Sequence, residues 1–340
     1  MGKKLLLPLL VIILLGMPLI VRLPYFLHIL ILSAMYVAYA LSYDISAGHL
    51  GSVSLAHPAF FGTGAYVTGI LAPMFGTPFW ANFLLAAALV MILAFIMAQP
   101  AFRLADISFA IVTLGLAVSL QLVAQNWVEL TRGPMCINNI PAVSLFSKGS
   151  SVLLSSLQGY YYLFLLVNIV VIVIYRLVTT GRIGRTFTAI RNDEILSATQ
   201  GINVLRYKQL AFLIGAALAG GVGSIWAHYM TVVCPDYLGL SYTLNLLIIV
   251  FIGGVTNYRG IIVTAVVLTI VPEVLRVAPS IRLILYGILL FLAIVLMPEG
   301  LAGLVDSVRR RLRKSTSELQ SAAAENQSAS DSNDATPFSE

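Results

Sequence analysis

Charge is what this sequence has least of. Asp, Glu, Lys and Arg together make up 10% of its 340 residues, against roughly a quarter in a soluble domain. So few charges cannot keep a water-facing surface wet, which excludes an ordinary soluble domain. Cysteine is nearly missing as well: Cys136 and Cys234 are the only two, too few for a disulfide framework. The histidines (His28, His49, His57 and His228) show no metal-ligand spacing such as H-E-x-x-H, and His49 and His57 share a glycine-rich stretch with no third ligand beside them. No metal site is expected. There is no G-x-S-x-G elbow and no Cys–His pair of the nucleophilic kind, so the chain does not read as an enzyme. A G-x-x-x-x-G-K-[ST] phosphate loop is also absent. The chain is therefore expected to bind no cofactor, and any ATP and magnesium belong on partner subunits. Acids are scarce inside the apolar runs. Asp44, Asp106, Glu129 and Glu273 fall at or near predicted helix ends, where the plain reading is an interfacial charge. That scarcity weighs against a stand-alone proton- or sodium-coupled carrier, the rival reading.

What is there is apolar, and it comes in blocks. Hydrophobic residues are 59% of the chain and mean hydropathy is +0.94. The runs are continuous rather than alternating, which favours helices over an outer-membrane barrel. Runs long enough to cross about 30 Å of hydrocarbon at 1.5 Å per residue lie near 5–21, 25–43, 58–74, 80–98, 108–127, 159–178, 208–231, 241–257, 260–277 and 282–298. The first follows Lys3-Lys4 and ends in Arg22-Leu23-Pro24 with no small-residue cleavage site, so it reads as a retained span rather than a signal. The formal charge of +6 does not point to nucleic acid, because Lys and Arg sit between the apolar runs. With the N-terminus inside, fifteen of the twenty fall on the cytoplasmic side; Arg22, Arg132, Lys148, Arg276 and Arg282 fall outside. This asymmetry predicts an all-α integral membrane protein with about ten transmembrane helices and both termini cytoplasmic.

The chain divides accordingly. Residues 1–24 are the first span and its connection, and 25–127 hold spans two to five. Residues 128–158 form an external loop, 159–178 the sixth span and 179–207 the largest internal loop. Residues 208–304 hold the last four spans. The tail, 305–340, is first basic and then too poor in apolar residues to order itself. Five helices on each side of the external loop would make two halves of inverted orientation, an arrangement that recurs in transporters. Within 44–58, glycine either lets helices pack closely or breaks the chain into a re-entrant segment lining a path. Cys136 and Cys234 both fall on the predicted outside, which permits a disulfide; two free thiols in separate loops is the other reading. The stretch 184–200 has no Pro or Gly after Gly184 and stops at Gly201, which predicts one short helix. Its mixed charged and apolar residues suit either docking into a partner or lying on lipid headgroups.

The run Gly184-Arg185, Ala189-Ile190-Arg191-Asn192-Asp193-Glu194, Ala198-Thr199-Gln200-Gly201-Ile202-Asn203-Val204 resembles the coupling loop of the branched-chain amino-acid ABC permeases, of the M type in particular. Further stretches resemble the same family in order: Gly48 to Tyr66, Phe109 to Leu114, Thr131-Arg132-Gly133-Pro134 with Ile140-Pro141, Ala219-Gly220, Ile252-Gly253-Gly254 and Pro298-Glu299-Gly300-Leu301. Cys136 departs from the pattern, standing where the family has Gly, and Asn257 stands where a small residue or Thr is usual.

The resemblance implies a permease subunit of an ATP-driven importer of leucine, isoleucine or valine in a bacterial inner membrane. Urea and short-amide permeases share the architecture and remain the alternative. It implies a homologous second permease, two cytoplasmic ATPases and a periplasmic binding protein as partners. It places coupling to the ATPase on Arg185, Ile190, Arg191, Asp193, Glu194, Ala198 and Gly201. The candidate substrate pathway is Gly48, Gly51, Ser54, Phe60, Gly64, Tyr66, Thr113, Thr131, Gly133, Gly253 and Gly254. Of these, Phe60 and Tyr66, like Phe61, also read as plain packing residues.

Overall fold

An apolar run surrounded by lipid satisfies its backbone only by closing hydrogen bonds within itself, and the regular elements here are helices. The structure is a computed structural model describing residues 16–18, 23–104, 106–143 and 156–274. In order they are α1 (Pro24–Ala47), α2 (His57–Phe75), α3 (Phe79–Ala101), α4 (Asp106–Asn126), α5 (Leu157–Thr180), α6 (Arg182–Asn192), α7 (Glu194–Thr199), α8 (Val204–Met230), α9 (Leu240–Gly253) and α10 (Tyr258–Val274). Among the described residues no strand occurs, only an isolated bridge between Ile137 and Val233. A helix stands at each apolar run read between 25 and 277. The runs at 5–21 and 282–298, the 298–301 motif and the 305–340 tail lie outside the described residues, the three at 16–18 aside.

Among the described residues, five helices are long and apolar enough to cross a membrane: α1, α3, α4, α5 and α8. Helix α9 is apolar, but its 14 residues reach only about 21 Å. Helix α2, glycine-rich and largely buried, is not among the five. Proline and glycine set the ends. Pro24 and Pro58 sit in the first turns of α1 and α2, where a missing N–H costs nothing. Gly76 caps α2 in the left-handed conformation (φ 58°).

Helix α8 is the axis of the bundle, packed on α1, α2 and α3. Its face is built from small residues, and the neighbours come in to backbone contact. A Cβ on Gly64 of α2 would strike the Gly220 carbonyl oxygen, and a Cβ on Gly223 would strike the Phe61 carbonyl oxygen. On the other side, a Cβ at Gly215 would lie 2.7 Å from the Ser42 carbonyl oxygen of α1. Lipid gives no hydrophobic drive between helices, so close approach through small residues is the packing device available. Aromatic rings fill the flanks: Phe212 of α8 meets Phe60 of α2 edge-on at 5.2 Å, and Phe102 stacks on Phe109 at 4.6 Å. The outer faces are apolar and unburied, with Leu84, Ile92, Phe95 and Ile96 exposed on α3 and Leu166, Ile169 and Val173 on α5, as suits lipid or a second membrane subunit.

The α2–α8 contact is testable. Gly223→Leu should cost several kcal/mol by forcing the two backbones apart, since overpacking alone costs about 1–3 kcal/mol where side chains can yield. Gly115→Ala, with open space around its position, should leave stability unchanged or slightly raised. Thermal unfolding of both variants in detergent measures the difference.

Candidate functional site: the helical hairpin between α5 and α8

The connection between α5 and α8 is a folded hairpin, and its sequence explains why. Helix α5 stops at Thr180, and α6 starts two residues on with Gly184 seated on the Thr179 backbone, where a Cβ would collide with the carbonyl. Helix α6 buries Gly184, Phe187 and Ile190 at spacings of three, with Phe187 edge-on to Tyr207 at 6.3 Å. The single helix expected over 184–200 is in fact two. Asp193 takes an extended conformation (φ −157°), and its carboxylate accepts the Leu196 N–H at 2.9 Å, capping α7. A short side chain that satisfies the N–H groups of a new helix competes with continuing the old one. Asn203 does the same for α8 through the Arg206 N–H at 3.1 Å. Helix α7 is pinned to α8 by Glu194 and Lys208, whose Oε2 and Nζ are 2.5 Å apart; the Lys208 side chain is buried while that of Glu194 is half exposed.

Most of the remaining residues predicted to couple face outward. Arg185, Arg191, Asp193, Ala198 and Gly201 are exposed; Ile190 alone among the predicted set is buried. Sequence reasoning missed the tip: Ile195 is 79% and Leu196 55% exposed. Two bare apolar side chains ringed by charge, at a bend between two helices, make a knob rather than a catalytic cluster.

Behind the hairpin lies a buried polar cluster. By its place near a predicted helix end Asp44 reads as an interfacial charge, but it is 0% exposed in the last turn of α1. Packing, not sequence position, puts it there. A Cβ on Gly48, one helical turn later, would occupy the space of the Asp44 carboxyl group, so Gly48 makes the room. The Tyr175 hydroxyl of α5 donates to Asp44 Oδ2 at 2.6 Å, and the Thr256 backbone N–H donates to Oδ1 at 3.1 Å. Because Tyr175 spends its one proton on Asp44, His49 Nε2, 2.8 Å from the same hydroxyl oxygen, is the protonated nitrogen and donates to it. Burial, with the Arg191 guanidinium as a second cause, pushes the His49 imidazole down to about 4, so it is neutral at physiological pH. Gly51 completes the connection. Its φ of +84° suits glycine, and a Cβ there would lie 3.1 Å from Arg191 Cγ, so the Arg191 stem rests on it.

Most of the other pathway residues have structural partners. Thr113 accepts the Leu55 N–H at 3.0 Å and donates to the carbonyl three residues back, Ala110 at 2.9 Å, holding the 48–56 segment against α4. Ser54 accepts the Ala56 N–H. Phe60 and Gly64 lie in the α2–α8 contact, and Gly253 seats against Ile261. Tyr66 is buried with no partner for its hydroxyl among the described residues. Thr131 holds the turn at Gly133 by accepting its N–H at 3.2 Å. Gly254 opens the turn whose Asn257 side chain accepts the N–H groups of Arg259 and Gly260, which accounts for Asn at that position. The histidines go to different partners: His57 Nε2 is 2.9 Å from Ser42 Oγ, and His228 Nδ1 is 2.7 Å from the Pro141 carbonyl.

The model of the family described as "Branched-chain amino acid transport system / permease component" matches residues 25–294. The chain belongs to that family. It is 28% identical to the high-affinity branched-chain amino acid transport system permease protein LivM of Escherichia coli K12 over 289 residues, 79% of this chain and 68% of that protein. It is 26% identical to LivH of the same system in Salmonella typhimurium over 292 residues, 80% of this chain and 92% of that one. No solved structure matches.

The other end of this permease is stapled. Ile137 and Val233 exchange backbone hydrogen bonds at 2.9 Å, and Cys136 and Cys234 beside them are joined by a disulfide. Cys136 has φ 58°, a left-handed conformation that glycine takes most easily. Tyr160 accepts the Val143 N–H and donates to the His228 carbonyl at 2.9 Å, fastening the same loop to α5 and α8.

Two outcomes follow. Glu194→Ala strands Lys208 and should cost about 1–2 kcal/mol, discounted because one partner is half exposed; Glu194→Ala/Lys208→Met should recover it, as read from melting of the purified protein. In unreduced protein neither cysteine should react with a maleimide, and after reduction both should.

Proposed function

We propose that the chain is the membrane-embedded permease subunit of an ATP-driven importer of leucine, isoleucine or valine. The family match over 25–294 supports the transport role, and the hairpin carries the mechanism. A compact knob presenting Ile195 and Leu196 is suited to seat in an apolar groove of a cytoplasmic ATPase, leaving Arg185, Arg191 and Asp193 to meet its rim. Helices α5 and α8 leave the hairpin and run about 36 and 40 Å to the disulfide end, by their 24 and 27 residues. A displacement of the knob therefore moves two rods that reach the opposite surface. ATP binding and hydrolysis on two such subunits would alternate the bundle between its inward- and outward-facing states. A homologous second permease would line the path with it, in keeping with the likeness to both LivM and LivH. A periplasmic binding protein would deliver substrate at the stapled end. A disulfide persists on the oxidising side of a membrane, so the staple favours that end facing outward and the hairpin inward. This agrees with the distribution of Lys and Arg, with ten spans and with cytoplasmic termini in an inner membrane.

The test is purification of tagged protein from its native membrane, followed by reconstitution with the proteins that accompany it. Wild type should bring down a second permease and ATP-binding subunits. Ile195→Glu, changing a side chain with no buried role, should lose the ATPases while remaining monodisperse. Reconstituted vesicles should take up leucine only with ATP and binding protein, and a hundredfold excess of urea should not compete (roughly 2.7 kcal/mol of discrimination). A chain that purifies alone, or transports without an ATPase, overturns the proposal.

A further inference from the structure

We propose that Asp44 is a positioning residue that binds together the two supports of the hairpin, so that movement of the hairpin drives α1, α5 and the 254–257 turn as one unit. The inference rests on the importer reading above. Besides α8, which it meets through Lys208 and Tyr207, the hairpin stands on two supports. One is the end of α5, where Gly184 seats on Thr179. The other is the 48–56 segment, where the Arg191 stem seats on Gly51. Asp44 takes hold of both: Tyr175, one turn before Thr179, donates to one of its oxygens, Gly48 packs on the carboxyl group, and His49 donates to the same Tyr175 hydroxyl. Its other oxygen accepts Thr256 N–H, in the turn between α9 and α10. Residues separated by 131 and 212 positions in sequence thus meet on one carboxyl group.

A carboxyl group is among the costliest side chains to bury, and well-packed apolar residues often serve stability equally well. What an apolar residue cannot supply is a directional bond from one helix to two other elements at once. Loss of such bonds lets each element move alone, and the hairpin then shifts without carrying the rest of the bundle. The geometry also gives a rank order. Asp44→Leu removes both acceptors, Asp44→Asn keeps one, and Tyr175→Phe removes the bond to α5 alone.

The experiment uses the complete importer in proteoliposomes, comparing wild type with Asp44→Leu, Asp44→Asn, Tyr175→Phe and Asp44→Leu/Tyr175→Phe. The readouts are ATP hydrolysis with and without leucine-loaded binding protein, leucine uptake and melting temperature. We expect the complex to assemble and hydrolysis to continue, with uptake per ATP hydrolysed falling roughly tenfold in Asp44→Leu, the size of effect of one strong hydrogen bond. The two other single variants should fall between it and wild type, and the double variant should be no worse than Asp44→Leu. Uptake per ATP unchanged in Asp44→Leu and Tyr175→Phe overturns the inference. A loss that tracks melting temperature across the series, or additive losses in the double variant, overturns it too. A wild type without ATP-dependent uptake overturns the importer reading and this inference with it.

Discussion

The backbone contact between α2 and α8 is the constraint on which the rest of the molecule depends. In lipid, burying apolar side chains against each other gains little over burying them in acyl chains, so the bundle is held by close fit. Gly64, Gly220 and Gly223 bring two helix backbones into contact, and Gly215 brings in α1. With the axis placed this tightly, α1, α2 and α3 are indexed to α8 rather than merely adjacent to it. The hairpin that leads into α8 inherits that precision, because Asn203 caps α8 directly and Lys208 reaches back to Glu194.

Polar groups are sparse and are used as joints. At one end Asp44 gathers α1, α5 and the 254–257 turn; at the other Tyr160 and His228 gather α5, α8 and the loop carrying Ile137 and Pro141. Between the two ends the helices meet through rings and small residues, with the Thr68–Ser224 and Asn168–Ala34 hydrogen bonds among them. A bundle built this way suits the proposed importer, which requires displacement at one surface to reach the other.

The helical class and the positions of the helices between 24 and 274 were legible in the sequence, five of them long and apolar enough to span, because continuous apolar runs are a local demand of the lipid on the backbone. The hairpin was legible in outline from Gly184 to Gly201, and its break was not. Asp193 reads as one more charge in a mixed stretch unless its capping geometry is seen. The exposed pair Ile195–Leu196 was equally hidden, since apolar residues in an amphipathic stretch are assigned by default to the buried face. Glycines were visible and their jobs were not. Gly48 and Gly51 stand together in one motif, yet one makes room for a carboxyl group and the other for an arginine stem.

By itself the sequence determined that this chain is a helical membrane protein of a permease family, with a cytoplasm-like charge bias on one set of loops. Composition, run length and local motif are enough for that, because each acts within a few residues of itself. Only the tertiary structure decided that Asp44 is buried, that Cys136 meets Cys234 across 98 positions, and that Tyr175 and Thr256 share one carboxyl group. Those pairings depend on how far one helix sinks into another. That depth is set by a few glycines against backbone in three dimensions, which no local pattern records.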